Sequence, residues 1–436
     1  MKKLLLIQSY GIHRQGLFVT QSKYPPSGLG IVAKLTPSDW EIEIIDSLSS
    51  SQFNHKADLV AISSFTPTIN NAYQIAAHYR ERNIPVIIGG IHASILPDEV
   101  SQYCDSVVMG EAECVWPIVI RDFENGKLKQ RYDAQRCDPK EICSPEYRLF
   151  NKGYKLNTIQ ASRGCPLNCE YCSITLLTGA KFRKRPVDHI MDDWRNIEQG
   201  FVWFSDDNLF GFNDKDRQWA QNLFSRIEAE NFNKNWMCFA GVRSLLDEKT
   251  VAMAARSGCK IIYVGFETTD ADSLISVKKS TEQLKYYKRV IDLLHKYGIS
   301  VLAGIMLGFD NDTPESIDKR IDFVLESVID SYFLTVMTPM PGTKLFDQYS
   351  RAGKLRYTNF PEDWGHYDWT ELVFTPSRMS VALAEEAIFH AYQKAYAFQT
   401  IKNKFRQTRE GLHSSETAML NYLSNMDFRE TFLNRI

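Results

Sequence analysis

From Lys3 onward this 436-residue chain alternates short apolar runs with helical patterns, and that rhythm restricts the architecture more than any other feature. KLLLIQS (3–9) reads as a strand, SGLGIVAKLTP (27–37) as a helix with Pro37 past its end, and WEIEIID (40–46) as a second strand. ADLVAISSF, NNAYQIAAHYRERN and IPVIIGG then read strand, helix, strand, and DEVSQYC and SVVMGEAE continue the alternation to Glu113. Strands separated by helices predict an α/β fold built on a doubly wound, Rossmann-like parallel sheet. Such sheets bind ligands beyond the carboxyl ends of their strands. The segments there are Gln8–Gly16, Ser63–Thr68, Gly89–Ala93 and Gly110–Glu113.

Residues 126–156 are polar, charged and weakly periodic, the pattern of a linker. A second series follows: LNTIQAS, FVWFSD, WMCFAG, KIIYVGFE, ISVLAGIML and YFLTVMT read as six strands with helices between them. Six units are too few for a closed eightfold barrel, so a partial (β/α)6 barrel is expected. After PMPGT (339–343) the alternation stops and a mainly helical C-terminal region follows. The expected domains are 1–130, a linker at 131–155, a barrel at 156–345 and a helical region at 346–436. The aromatic segment 364–374 and the helix after it read as core packing, with the wall of an apolar substrate pocket as the other use.

Lysine and arginine total 51 against 53 acidic residues, so no basic field invites nucleic acid or an anionic membrane. The chain has no apolar run of 18 residues that would span a membrane. The opening MKKLLLI is too short for a signal peptide. A cytoplasmic location is the expectation. In a reducing compartment disulfides are rare. Six of the nine cysteines (Cys104, Cys114, Cys137, Cys143, Cys238 and Cys259) are then expected to be small buried hydrophobes.

Cys165, Cys169 and Cys172 lie together in SRGCPLNCEYCS (162–173). A structural zinc site closes with four ligands, yet the next histidine is His189 and the next cysteine Cys238. A fourth ligand brought by the fold would make this a zinc site. Three thiolates on a 4Fe–4S cluster would instead leave one iron open for chemistry.

Cys-x3-Cys-x2-Cys with Tyr171 before the last cysteine resembles the signature of the radical S-adenosylmethionine (SAM) enzymes. The resemblance implies that Cys165, Cys169 and Cys172 hold a 4Fe–4S cluster whose fourth iron chelates SAM. One electron, from a flavodoxin- or ferredoxin-type donor, then releases a hydrogen-abstracting radical. The same resemblance assigns SAM contacts to Tyr171, Asp206 and Asp207 in SDDN, Arg243, Gly265 and Glu267 in GFET, and Gly304 and Gly308 in GIMLG. Met306 stands where isoleucine is usual. Strand-end capping is the ordinary alternative for Asp206, Asp207 and Glu267.

The first domain resembles cobalamin-binding domains that precede such barrels. SFT (64–66), GG (89–90), GGIHAS (89–94) and GEAE (110–113) carry that resemblance. It implies cobalamin contacts from Ser64, Thr66, Gly89, Gly90, His92, Gly110 and Glu111, with the glycines making room for the nucleotide tail. In GIHRQG (11–16), His13 and Gly16 stand where a cobalt-ligating histidine motif would place them, but Gly11 replaces its aspartate. Without that aspartate to fix its tautomer, His13 reads as a solvated loop histidine.

The family so implied methylates unactivated carbon or phosphorus. A cobalamin-dependent radical cyclase or rearrangement enzyme is the alternative, and a zinc-bound scaffold with no reaction is the reading from another class. The expected substrate is a small molecule, with a lipid or tetrapyrrole suiting an apolar pocket.

Overall fold

The computed structural model describes residues 1–10, 24–46, 54–230 and 233–433. His13 and its motif lie outside the described residues. Six strands form the first sheet: β1 (Lys3–Gln8), β2 (Glu41–Ile45), β3 (Leu59–Ser63), β4 (Val86–Gly89), β5 (Ser106–Met109) and β6 (Arg131–Asp133). Their order is β2-β1-β3-β4-β5-β6, all parallel. In β1, Leu4 to Gln8 are all buried, because helices cover both faces and the strand needs no polar side. Leu5, Ile7, Val60 and Ile62 join the same packed core as the barrel residues Ile190, Trp194 and Phe204. Leu4, Leu6, Leu59, Trp40 and Val119 fill a second core on the opposite face.

The stretch expected to be a linker contributes the edge strand: Val107, Val108 and Met109 pair with Arg131, Tyr132 and Asp133. Alternation there rests on Tyr132 alone, which is buried between two exposed charges, too little signal for a strand reading.

The second sheet contains β7 (Asn157–Ile159), β10 (Phe201–Phe204), β11 (Asn235–Ala240), β12 (Cys259–Glu267), β13 (Ser300–Leu307) and β14 (Ser331–Val336). Between β7 and β10 a short hairpin, β8 (Ser162–Arg163) with β9 (Arg183–Lys184), pairs antiparallel. The order β14-β13-β12-β11-β10-β7 is a parallel, open six-strand barrel. Burial alternates along β10, β11 and β12, so Trp203, Phe239, Tyr263 and Glu267 share the partly open inner face.

The C-terminal helices Val381–Ala395, Phe398–Leu412 and Ser415–Leu433 pack beside β14. Asn425 accepts from Tyr332 N–H at 3.3 Å and donates to the Asp330 carbonyl at 3.1 Å. Tyr392 and Tyr396 are buried against Phe432. The aromatic segment is packed too: Trp364 is buried and donates to Glu99 of the first domain at 2.9 Å. Asn70 donates to the carbonyls of Pro361 and Glu362, each at 3.0 Å. These aromatics join the C-terminal region to the first domain.

Three scattered cysteines depart from expectation. Cys114 is exposed, and its sulfur lies against that of buried Cys137 as a disulfide. Cys143 is half-buried, whereas Cys104, Cys238 and Cys259 are buried as expected. Among the described residues no helix is long and apolar enough to cross a membrane.

Candidate active site

The β8–β9 hairpin closes the base of the loop that carries the three cysteines. The loop opens at Gly164, whose φ is +97° and where a Cβ would strike the Lys181 carbonyl. A side chain there would be strained in both respects. Cys165 N–H donates to Gly179 O at 3.0 Å, and Cys172 N–H to Cys169 O at 3.1 Å. Glu170 ties the loop to neighbouring segments: its N–H reaches Val277 O at 3.4 Å and its carbonyl accepts from Leu345 N–H at 3.1 Å. All three thiols are half-buried and free of disulfides. Burial pushes all three thiols up, Cys172 to about 12, so they await a cation that would favour their thiolates.

Around them stand residues from two strand ends and the segment that follows one of them. Asp207 follows β10, where the Gly164 backbone N–H favours its ionised form, and its charge reaches Cys165 and Cys172. Burial pushes its carboxyl up to about 6. Glu267 ends β12 at φ +64°, where the β12–β13 register slips between Gly265 and Glu267. Lys279 donates to Glu267 at 2.7 Å, and its charge is felt at Cys165 and Cys169. Tyr171 is packed within electrostatic reach of Glu267, Cys169 and Cys172. Sequence reading missed Lys279, because a lysine in KKST (278–281) has no spacing of its own that ties it to the cysteines.

Gly265 and Gly304 are register partners on β12 and β13. A Cβ on Gly304 would run into the Tyr263 ring, so a flat ring does lie over this glycine, and it belongs to the protein. Gly308 follows β13 at φ +76°. Arg243 lies on the turn Val242–Leu246 after β11 and is exposed. Asp206 points elsewhere: fully buried, it accepts from Ala161 N–H at 3.1 Å and from the Ser162 hydroxyl. Its place is strand-end capping, because successive residues leaving β10 face opposite sides of the sheet.

Several residues expected to meet cobalamin are turned inward. His92 is fully buried, with Nδ1 3.2 Å from Thr66 Oγ1, Nε2 3.2 Å from Glu99 Oε1, and Trp364 edge-on to its ring. Ser64 Oγ lies 2.8 Å from Ser9 Oγ in a buried hydroxyl cluster. A Cβ on Gly90 would strike Ser64 backbone, and one on Gly110 the Ala134 carbonyl, so these glycines serve chain-to-chain approach. Glu111 is buried in ion pairs with Arg163 and Arg183. Gly89 stands at the end of β4, half-buried. Open space does exist at this edge of the sheet: a cavity of about 590 Å³ lies at the ends of β5 and β6, lined by Ser94, Met109, Gly110 and Arg136 and, from the cysteine side, by Leu176 and Leu177.

A family model described as the Radical SAM superfamily matches residues 159–324, and one for the B12 binding domain matches residues 17–119. The chain is a cobalamin-binding radical SAM enzyme. The bacteriochlorophyllide d C-12(1)-methyltransferase of Chlorobaculum tepidum is 28% identical to it over 394 residues, covering 87% of this chain and 84% of the relative. The hopanoid C-2 methylase of Rhodopseudomonas palustris is 26% identical, covering 86% and 73%. The cobalamin-dependent SAM radical enzyme OxsB, solved with aqua-cobalamin and SAM, aligns at TM-score 0.71 and 13% identity over 97% of this chain and 72% of its own. The methyltransferase TsrM of Kitasatospora setae, solved with cobalamin and a 4Fe–4S cluster, aligns at 0.68 and 14% over 91% and 88%. At those identities the likeness is one of fold.

The cofactors of this radical SAM enzyme are therefore a 4Fe–4S cluster, SAM and cobalamin. Its residues fit them. Three free thiols on one loop match a cluster with an open iron. The 590 Å³ cavity lies at the carboxyl edge of the first sheet, where ligands of open parallel sheets sit.

Proposed function

We propose that the enzyme transfers a methyl group to an unactivated carbon of an apolar, ring-bearing small molecule held inside the barrel. The observation that carries this reading is the aromatic inner face beside the cysteine loop. Trp203 and Phe239 are 5.3 Å apart by ring centroid, and Phe239 and Tyr263 are 4.6 Å apart. Tyr24 of the first domain meets Trp203 edge-on at 4.8 Å. Among the described residues the buried Trp203 indole N–H has no acceptor, which leaves it as a donor for a ligand. Such a surface suits a flat or polycyclic skeleton with one acceptor atom. The relatives named above methylate a bacteriochlorophyllide and a hopanoid, both ring systems.

When bound, the cluster with SAM supplies a hydrogen-abstracting radical, and cobalamin relays the methyl group. Cys165, Cys169 and Cys172 would hold the cluster. Asp207, Glu267 and Lys279 ring the open side of that loop, where a zwitterionic ligand finds both signs of charge. Gly304 makes room for the hydroxyl end of the Tyr263 ring, and Tyr263 with Phe239 gives the substrate a fixed wall. The first domain and the C-terminal region cover the barrel and keep water from the reacting carbon.

The test is anaerobic reconstitution with iron, sulfide, hydroxocobalamin, SAM and a flavodoxin or ferredoxin reductant. Bacteriochlorophyllide d and a hopanoid are offered separately. The expected result is 5′-deoxyadenosine together with a product heavier by one methylene. Hydrogen abstraction from either compound with no methylated product would overturn methyl transfer in favour of cyclisation or rearrangement.

A further inference from the structure

Two arginines stand opposite each other at the base of the cysteine loop: Arg163 on β8 is the register partner of Arg183 on β9. Both leave the barrel and enter the first domain. Arg163 donates to Glu111 at 2.9 Å and to Glu113 at 2.5 Å. Arg183 donates to both oxygens of Glu111, one of them at 3.0 Å, and to the carbonyls of Cys137 at 2.8 Å and Thr178 at 3.0 Å. All four charged side chains are more than nine-tenths buried, and their charges cancel. Burial pushes the Glu111 carboxyl up, and the two guanidinia outweigh it and hold it below the usual range.

A buried ion pair is a poor source of stability, since hydrophobes of equal volume serve as well. What it does supply is geometry, because a guanidinium fork accepts carboxylates in few arrangements. Here the geometry spans two domains. Glu111 and Glu113 belong to the segment that leaves β5, and Gly110 and Glu111 wall the 590 Å³ cavity. Across that cavity, Leu176 and Leu177 come from the helix Ile174–Thr178, which begins two residues after Cys172. An occupant of the cavity therefore touches the glutamate segment on one side and the continuation of the cysteine loop on the other.

We propose that Glu111 and Glu113, through Arg163 and Arg183, are positioning residues that make the geometry of the cysteine loop depend on cobalamin in the first domain. The proposal rests on the cofactor placement given above. Each contact links the glutamate segment at the cavity to the base of the cysteine loop, so a shift of one is carried to the other through a continuous chain of paired side chains.

The experiment uses the full chain reconstituted anaerobically with iron and sulfide, with and without hydroxocobalamin. Iron release to a ferrous chelator and the electron paramagnetic resonance of the reduced cluster are recorded. In the wild type, cobalamin is expected to slow iron release by about fivefold or more and to shift the resonance. In Glu111→Gln, at equal iron and corrinoid content, both responses are lost. Glu111→Asp, which keeps the charge, restores part of them. Glu230→Gln, which breaks an ion pair with Arg195 outside both the cavity and the network, responds as wild type does. Should Glu111→Gln fail to accumulate, Glu113→Gln leaves Arg183 paired and is expected to lose part of the response. A loaded Glu111→Gln chain that responds like wild type overturns the proposal, as does a loaded wild type indifferent to cobalamin. A wild type that retains no iron or no corrinoid would instead overturn the cofactor placement, and the inference with it.

Discussion

Lys279 Nζ stands 2.7 Å from Glu267 Oε1, and both side chains are mostly buried, at 14% and 16% exposure. The lysine also lies 3.4 Å from the Gly265 carbonyl, so it ties the end of β12 to the segment beyond. Lys279→Met would leave the Glu267 carboxylate without its counter-charge beside the cysteines. We expect 5′-deoxyadenosine formation to fall by about 10- to 100-fold at unchanged iron content, measured by chromatography of anaerobic reactions.

Asp206 gives a pH dependence with a definite sign. Burial pushes its carboxyl up to about 7, against the Ser162 hydroxyl and Ala161 N–H that favour its ionised form. The folded value lies above the unfolded one, so between about pH 4 and pH 7 the folded chain holds a proton that the unfolded chain has lost. This contribution to stability falls as pH rises through that window, by up to about 4 kcal/mol. Urea midpoints at several pH values should show a shallower decline for Asp206→Asn than for wild type. Parallel curves would refute the assignment.

Gly304→Ala places a methyl group in the Tyr263 ring. Overpacking of this kind costs about 1–3 kcal/mol. The melting temperature should drop, and the Gly304→Ala/Tyr263→Ala double variant should lose less than the sum of the two single changes.

Arg320 and Asp312 are both fully buried and form a two-pronged ion pair at 2.8 and 2.9 Å. Arg320 also donates to Met306 O at 2.9 Å, and Asp312 accepts from Phe309 N–H at 2.9 Å, so the pair holds the turn after β13. Arg320→Met strands a buried carboxylate, with an expected cost of about 3–5 kcal/mol in denaturant unfolding.

Trp203→Phe keeps the ring surface and removes an indole N–H that finds no acceptor among the described residues. Substrate affinity should weaken by up to about tenfold, while cleavage of SAM in the absence of substrate stays unchanged. Equal affinity in the two proteins would show that the indole nitrogen meets no acceptor.

Much of the fold was legible because periodicity is local. The strand segments of the first sheet from Lys3 to Met109 and the six of the barrel can be read from apolar runs punctuated by Gly, Pro and polar turns. Arg131–Asp133 escaped, since a three-residue edge strand with one buried side chain leaves no period to detect. At the site, the grouping of the three cysteines was legible because one loop carries them all, and their role came from the family resemblance of that spacing. Lys279 was not legible, since only the return of the chain after β12 brings it to Glu267.

The amino-acid sequence by itself determined the two α/β units, their parallel strands and the loop with three free thiols. Each of these depends on residues close in the chain. The tertiary structure decided how the polar residues of that pattern are spent. Asp206 and Asp207 are neighbours in sequence, yet one caps backbone and the other faces the cysteine loop, because consecutive residues leave a strand on opposite sides. Glu111 and His92 resemble a cofactor motif, yet Glu111 finds its partners across the domains and His92 within its own, since buried charge and polarity must be satisfied wherever the nearest complementary group lies.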